Sequence, residues 1–180
     1  MNYIKNIISA YDVYDELRNT QLGTTLEDLI NLIKQFDLND IGEFKPTQYE
    51  DLFINYKKPY DICYGALEML RAMKILVRTS ENNALYKLTS LGIYIVKQND
   101  SRRFFLILKI MNNLSSIKVI IKYIRDKQNA TAEDISDYLG NEMIYYNKIL
   151  LDKSWKKPFN IPLVRTLLEL LVELNILILI

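Results

Sequence analysis

A six-residue segment occurs twice in this chain and limits how it can fold. Lys57-Lys58-Pro59-Tyr60-Asp61-Ile62 returns as Lys156-Lys157-Pro158-Phe159-Asn160-Ile161, 99 positions later. Each copy is a basic pair, a proline, an aromatic, a side chain able to cap a helix, and an isoleucine, and an apolar helical run follows both. Two more segments recur in the same order. Thr25-Leu26-Glu27-Asp28-Leu29 matches Thr131-Ala132-Glu133-Asp134-Ile135 at an offset of 106, and Leu67–Val77 matches Leu168–Ile178 at 101. Offsets that drift by a few residues fit duplicated elements joined by loops of unequal length. The expected organisation is one module used twice, residues 1–99 and residues 100–180.

The composition agrees with a helical pair of small domains. With 5 Gly and 4 Pro in 180 residues, turn signals are sparse, which favours long helices over many strands. Hydrophobic residues make up 49%, enough for two cores. Lys and Arg number 23 against 22 Asp and Glu, so any basic surface must be local. The chain has no histidine, which removes the commonest general base and transition-metal ligand. Its one cysteine, Cys63, can form neither an internal disulfide nor a zinc site alone and reads as a small core residue. No phosphate-binding glycine loop, nucleophile elbow or paired metal carboxylates occur, so neither an enzyme nor a cofactor is expected.

Residues Met1–Asn6 lack the basic-then-apolar pattern of a secretory leader, and a cytoplasmic location is expected. The apolar tract Ile161–Ile180 contains Pro162, Arg165, Glu169 and Glu173 and so reads as a buried helix running into a strand, not a membrane span.

Along the chain, Tyr3–Arg18 has helical periodicity. Thr24 or Thr25 caps a second helix that buries Leu26, Leu29, Ile30 and Ile33. Tyr49, Leu52 and Phe53 suggest a short helix. Pro59 stops propagation from the left, and Asp61 caps a helix over 62–74. Ile75–Ser80 and Ala84–Leu88 form a hairpin around Asn82-Asn83, since asparagine tolerates positive φ. A helix follows at 91–98. The polar Asn99-Asp100-Ser101 marks the module boundary, and a connector helix runs over 102–111. Ser115 or Ser116 caps a helix over 117–127. Thr131 caps another, which ends near Gly140, before a further helix over 142–151. Leu163–Leu174 is a helix and Ile176–Ile180 a strand.

Each unit therefore reads helix, capped helix, basic turn, helix, strand, and the first adds a hairpin. This order resembles the winged helix-turn-helix superfamily. Ala66–Gly92 carries most of the likeness: an apolar third helix, then Ile75-Leu76-Val77-Arg78 as the first wing strand. Asn82-Asn83 stands at the wing tip, and Tyr86-Lys87-Leu88-Thr89-Ser90-Leu91-Gly92 as the return strand and next helix start. The resemblance implies a mainly α fold with small β-hairpin wings, as two tandem units, the second with a truncated wing. It also implies double-stranded DNA as the partner of a transcriptional regulator or architectural factor. Lys57, Lys58, Lys156 and Lys157 would contact phosphates before the third helices, and Arg71, Lys74, Arg78 and Lys87 would contact DNA from the first third helix and wing.

The second third helix has one cation, Arg165, against Glu169 and Glu173, which suits protein better than DNA. The apolar strand Ile176, Leu177, Ile178, Leu179 and Ile180 is an expected interface for a homodimer or another protein. The alternative reading of the whole chain is thus a protein-interaction adaptor on the same fold. Tyr145, Tyr146 and Trp155 lie among lysines but read as packing residues. Glu27-Asp28 and Glu133-Asp134 read as first-turn helix charges.

Overall fold

The computed structural model describes residues 25–36, 42–80, 82–127 and 130–146, with residues 165, 168, 169, 171 and 172. These are mainly helical, with one two-stranded antiparallel sheet. The chain divides into two compact units, Asn19–Asn112 and a second made of Met1–Arg18 with Asn113–Ile180. The expected helix over 3–18, the second lysine turn and the C-terminal strand lie outside the described residues. Among the described residues no helix is long and apolar enough to cross a membrane.

In the first unit, helix α1 spans Leu26–Gln35. It begins at a capping box: Thr25 Oγ1 accepts the Asp28 N–H at 3.1 Å, and Asp28 Oδ2 accepts the Thr25 N–H at 2.8 Å. Leu26, Leu29, Leu32 and Ile33 form its buried face. Leu32 takes the place expected for Ile30, which is only half-buried. Tyr56 donates its hydroxyl to the same Asp28 at 2.6 Å and so ties the segment before the lysine turn to the start of α1. Burial, then the Asp28 carboxylate, push this phenol up to about 12.

Phe44 exchanges backbone hydrogen bonds of 2.9 Å with Tyr86 in an isolated antiparallel bridge. Two short 3-10 turns follow, Pro46–Gln48 and Glu50–Phe53, instead of one short helix. Tyr49, at φ −127° and ψ 2°, separates them.

Helix α2 spans Pro59–Ala72. Asp61 is not its cap. Proline suits the first helical position, because its φ is preset and its missing N–H would go unbonded there. The helix therefore starts two residues before Asp61, with Lys58 at the cap position but no capping hydrogen bond from its side chain. Asp61 lies in the first turn, where a carboxylate favours the positive helix end. At the other end Ile75 N–H bonds Leu70 O at 2.9 Å and Lys74 N–H bonds Arg71 O at 2.8 Å. This is the paired closure of a Schellman motif, made with Lys74 at φ 59° in the position that glycine usually takes.

Strands β1 (Leu76–Ser80) and β2 (Leu85–Leu88) pair with Leu76 opposite Leu88, Val77 opposite Lys87 and Arg78 opposite Tyr86. A bulge falls between Arg78 and Ser80. Among the described turn residues the positive φ is at Ala84 (47°), not at Asn82 or Asn83. The left-handed residue closes the loop beside the returning strand, as in hairpins longer than two residues.

Helix α3 (Ser90–Val96) is capped by Thr89, whose Oγ1 accepts the Gly92 N–H at 3.0 Å. Helix α4 (Asp100–Met111) is capped by Asn99, whose Oδ1 accepts the Arg102 N–H at 2.9 Å. The polar Asn99-Asp100-Ser101 stretch is thus a helix start, and α4 belongs to the Asn19–Asn112 unit. Lys34 pairs with Asp100 at 2.9 Å, which links α1 to α4. Its hydrogen bond and charge, with Arg103 adding, hold the Asp100 carboxyl below the usual range.

Cys63 is fully buried, and its thiol donates to the Pro46 carbonyl at 3.3 Å. Burial, with Glu50 adding, pushes this thiol from 9.0 up to about 12. The folded pKa lies above the unfolded one, so this contribution is complete below pH 9 and is lost as pH rises toward about 12. Tyr56 adds a loss of the same sign from pH 10. We expect alkylation of Cys63 by iodoacetamide at pH 8 to require unfolding, and urea midpoints to fall steadily above pH 9. Rapid labelling of the native protein would contradict the burial.

In the second unit, helix α5 spans Ser115–Lys127 and α6 spans Ala132–Tyr146. Ser115 and Ser116 are helical residues, not caps. Thr131 repeats the Thr25 capping box: its Oγ1 accepts the Asp134 N–H at 3.1 Å, and Asp134 Oδ2 accepts its N–H at 2.9 Å. Gly140 does not end α6; a lone helical glycine costs only about 1 kcal/mol relative to alanine. Ile117, Ile120, Ile135, Leu139 and Leu171 are buried. Tyr123 and Tyr138 stack with centroids 4.6 Å apart. The open cleft beside them, about 500 Å³, mixes Lys122 and Lys127 with Asp126, Asp134 and Asp137, so neither sign of charge dominates it.

Candidate nucleic-acid interface

The residues expected to meet DNA centre on α2, which is enclosed on most of its circumference. Eight of its 14 residues are buried, including Cys63, Gly65, Ala66, Leu67, Met69 and Leu70. Small side chains at 65 and 66 allow close packing on faces that a groove-reading helix would leave open. The surface that remains is narrow: Tyr60 exposed, with Pro59, Asp61, Ile62, Tyr64 and Arg71 half-buried.

Glu68 is also among the buried residues, with no exposed surface. A carboxylate is tolerated there only if it is hydrogen-bonded and paired. Arg71, one turn along α2, donates from Nε to Oε2 at 2.8 Å. The Tyr86 hydroxyl donates to Oε1 at 2.5 Å from β2. Arg78 Nη1, from β1, lies 3.6 Å from Oε1. Burial and the bond to Glu68 raise the Tyr86 phenol well above its ordinary value, so it is held as a donor. The hairpin register explains the convergence. Arg78 is opposite Tyr86, and both face α2, while Val77, Thr79 and Lys87 alternate to the outer face.

The eight expected DNA contacts therefore separate into groups. Arg71 and Arg78 come together on Glu68, with side chains only 11% exposed. Lys57 and Lys58 are exposed at the start of α2. Lys58 pairs with Asp61 at 3.5 Å in a solvated contact that is worth at most about 1 kcal/mol. Lys57 has no hydrogen bond or ion pair among the described residues. Lys74 is exposed at the far end of the helix, about 20 Å from the lysine pair along the axis. Lys87 is exposed on the outer face of the hairpin. Lys156 and Lys157, and the expected interface Ile176–Ile180, lie outside the described residues, as does Trp155.

Sequence reasoning missed Glu68 and the pairing of Tyr60 with Tyr64. Signals for both were present: Glu68 and Arg71 are i, i+3, and Tyr60 and Tyr64 are i, i+4. Among the described residues no three His, Cys, Asp or Glu side chains converge in a way that could hold a metal ion. No protein-family model, curated protein or solved structure matches this chain.

Proposed function

We propose that this chain is a non-enzymatic, cytoplasmic DNA-binding protein of tandem winged-helix-like units, acting as a transcriptional regulator or architectural factor. The order of elements in the Asn19–Asn112 unit supports the fold reading: α1, an isolated bridge at Phe44, short helical turns, α2, then the β1–β2 hairpin. Phe44 pairs with β2, so a third short strand position adjoins the wing hairpin. The matching capping boxes at Thr25 and Thr131 support the duplication.

The functional reading rests on one observation: Lys57 and Lys58 are exposed directly before the N-terminus of α2. Phosphate there would meet two ammonium groups, the unbonded N–H groups of the first turn and the positive helix end. The first turn's Asp61 opposes this attraction, so the lysines must supply most of it. Base readout has little support. Arg71 and Arg78 are engaged by Glu68, and most faces of α2 are buried. The mode we infer is backbone contact with weak sequence preference, in which Lys87 extends the contact from the wing.

Fluorescence anisotropy with short duplexes across a salt series tests this reading. Wild type should lose affinity steeply with salt. Lys57→Glu with Lys58→Glu should weaken binding to every duplex and lower the log–log salt slope by about 2. If no duplex is bound in a salt-sensitive way, the DNA reading fails and the adaptor reading takes its place. A specific observation favours that alternative: Leu91 and Tyr94 on α3, and Phe104 and Phe105 on α4, are large apolar side chains between 37% and 52% exposed.

A further inference from the structure

The narrow open surface of α2 carries a stacked aromatic pair. Tyr60 and Tyr64, four positions apart, project from the same side of the helix. Their rings are 11° from parallel, with centroids 6.5 Å apart. The stack is anchored to the core by charge. The Arg78 guanidinium carbon lies 5.8 Å from the Tyr64 ring centroid, and Nη1 donates to the Tyr64 hydroxyl at 3.2 Å. Arg78 also lies 3.6 Å from the buried Glu68 carboxylate and donates from Nε to Ser80 O at 3.3 Å. A continuous set of contacts thus runs from a buried carboxylate, through Arg78 and Tyr64, to Tyr60 at the surface. Tyr60 is 44% exposed and has no second ring contact and no hydrogen bond among the described residues.

We propose that Tyr60 is a stacking platform for an unpaired nucleobase, whose flanking phosphates are held by Lys57 and Lys58. The natural site is therefore a bulge, a junction or a single-stranded end, rather than an uninterrupted duplex. The chemistry follows from what is already ordered. A nucleobase presents a π-face to any aromatic ring, and such stacking is tolerant of sequence. Tyr64 and Arg78 hold the platform before the base arrives, so little rotamer freedom is lost on binding. Two exposed ammonium groups, three and two positions before Tyr60, select a polyanion that carries flat rings over an uncharged apolar side chain. The inference rests on the nucleic-acid reading of this unit. It names the part of the nucleic acid that the site takes.

The test uses the full chain and three oligonucleotide probes of one sequence: a perfect duplex, the same duplex with a single 2-aminopurine bulge, and a 2-aminopurine single strand. Each is made as DNA and as RNA, which separates the two sources of an unpaired base. Wild type should quench 2-aminopurine and prefer the bulged and single-stranded probes. Tyr60→Ala should weaken both about tenfold while leaving the perfect duplex within about twofold. Tyr60→Phe should restore wild-type affinity, because the ring and not the hydroxyl makes the contact. Tyr60→Leu should not, because bulk without a π-face does not stack. Equal affinity of Tyr60→Ala and wild type for the bulged probe would overturn the inference, as would full activity of Tyr60→Leu. The two readings fail separately. Intact duplex binding with no effect at Tyr60 defeats only the platform, whereas failure of wild type to bind any probe defeats both.

Discussion

Replacing Glu68 with alanine is expected to destabilise the Asn19–Asn112 unit by about 3–5 kcal/mol, measured by urea unfolding at pH 7. The carboxylate has no exposed surface, and the partner arginines are 11% exposed. Removing it leaves the positive charge of Arg71 and Arg78 without the carboxylate they share, and leaves the Tyr86 hydroxyl without its acceptor. Solvent can recover only part of that loss at this depth. The same change in an exposed pair such as Lys58–Asp61 would cost at most about 1 kcal/mol. Glu68→Gln separates shape from charge. It can still accept from Tyr86, fills the same space and should cost less than Glu68→Ala, by about 1–2 kcal/mol. Equal losses for the two variants would mean that the charge, which both remove, and not packing sets the effect. A loss below about 1 kcal/mol for Glu68→Ala would remove the network from any account of how the hairpin is held against α2.

The recurring segments of the sequence offer a comparison for this expectation. Glu68 corresponds to Glu169 in the repeat, while Arg71 corresponds to Val172. Glu68 is buried and Glu169 is exposed. The carboxylate with an arginine three positions on lies inside; the one with a valine there lies in water. Sequence alone lists a glutamate at both places; the arginine three positions after Glu68 is a local difference between them, and it does not by itself place either carboxylate inside. This also explains why Arg71 and Arg78 read as DNA contacts from the sequence. A cation's position along the chain does not reveal whether its fork meets solvent or a buried carboxylate, contributed by its own helix for Arg71 and by the neighbouring helix for Arg78.

Local features were more legible than tertiary ones. Thr25 and Asp28 form the capping box that their spacing implies, because both partners lie within one turn. The hairpin falls close to its expected place for a similar reason: β-forming runs on either side of a polar turn are a short-range signal. Where a local signal had two physical uses, the choice depended on the neighbourhood. Proline stops a helix arriving from its left but also starts one on its right, and at Pro59 the second use prevails. Gly140 carries only a small penalty, and α6 continues through it. The stacked Tyr60–Tyr64 pair has helical spacing, but its support by Arg78 depends on a hairpin register that the helix sequence does not encode.

The second large effect is expected at Gly92. Alanine is normally the better helix former by about 1 kcal/mol, so Gly92→Ala within α3 would be predicted to stabilise if the helix stood alone. The fold reverses that sign. A Cβ at this position would lie 2.2 Å from the Ile75 carbonyl oxygen, 2.9 Å from Leu88 Cδ2 and 3.2 Å from the Ile75 carbonyl carbon. The leucine could rotate away, but the carbonyl is backbone and is fixed from two sides. It accepts the Thr89 N–H at 3.0 Å, and the Thr89 hydroxyl, which donates to the adjoining Lys74 carbonyl at 2.7 Å, lies 3.1 Å from it. Relief requires moving the first turn of α3 off the chain between α2 and β1, which also disturbs the Thr89 cap. Overpacking that cannot be relieved by a rotamer costs about 3 kcal/mol, more than the helix preference returns. Thermal unfolding should therefore show a clearly lower midpoint for Gly92→Ala, and a lower one still for Gly92→Val. Ser90→Ala, exposed in the same turn, should remain within about 0.5 kcal/mol of wild type. A Gly92→Ala protein as stable as wild type would show that α3 can lift from Ile75 without cost, and the close approach of helix to backbone would then have no part in holding the hairpin.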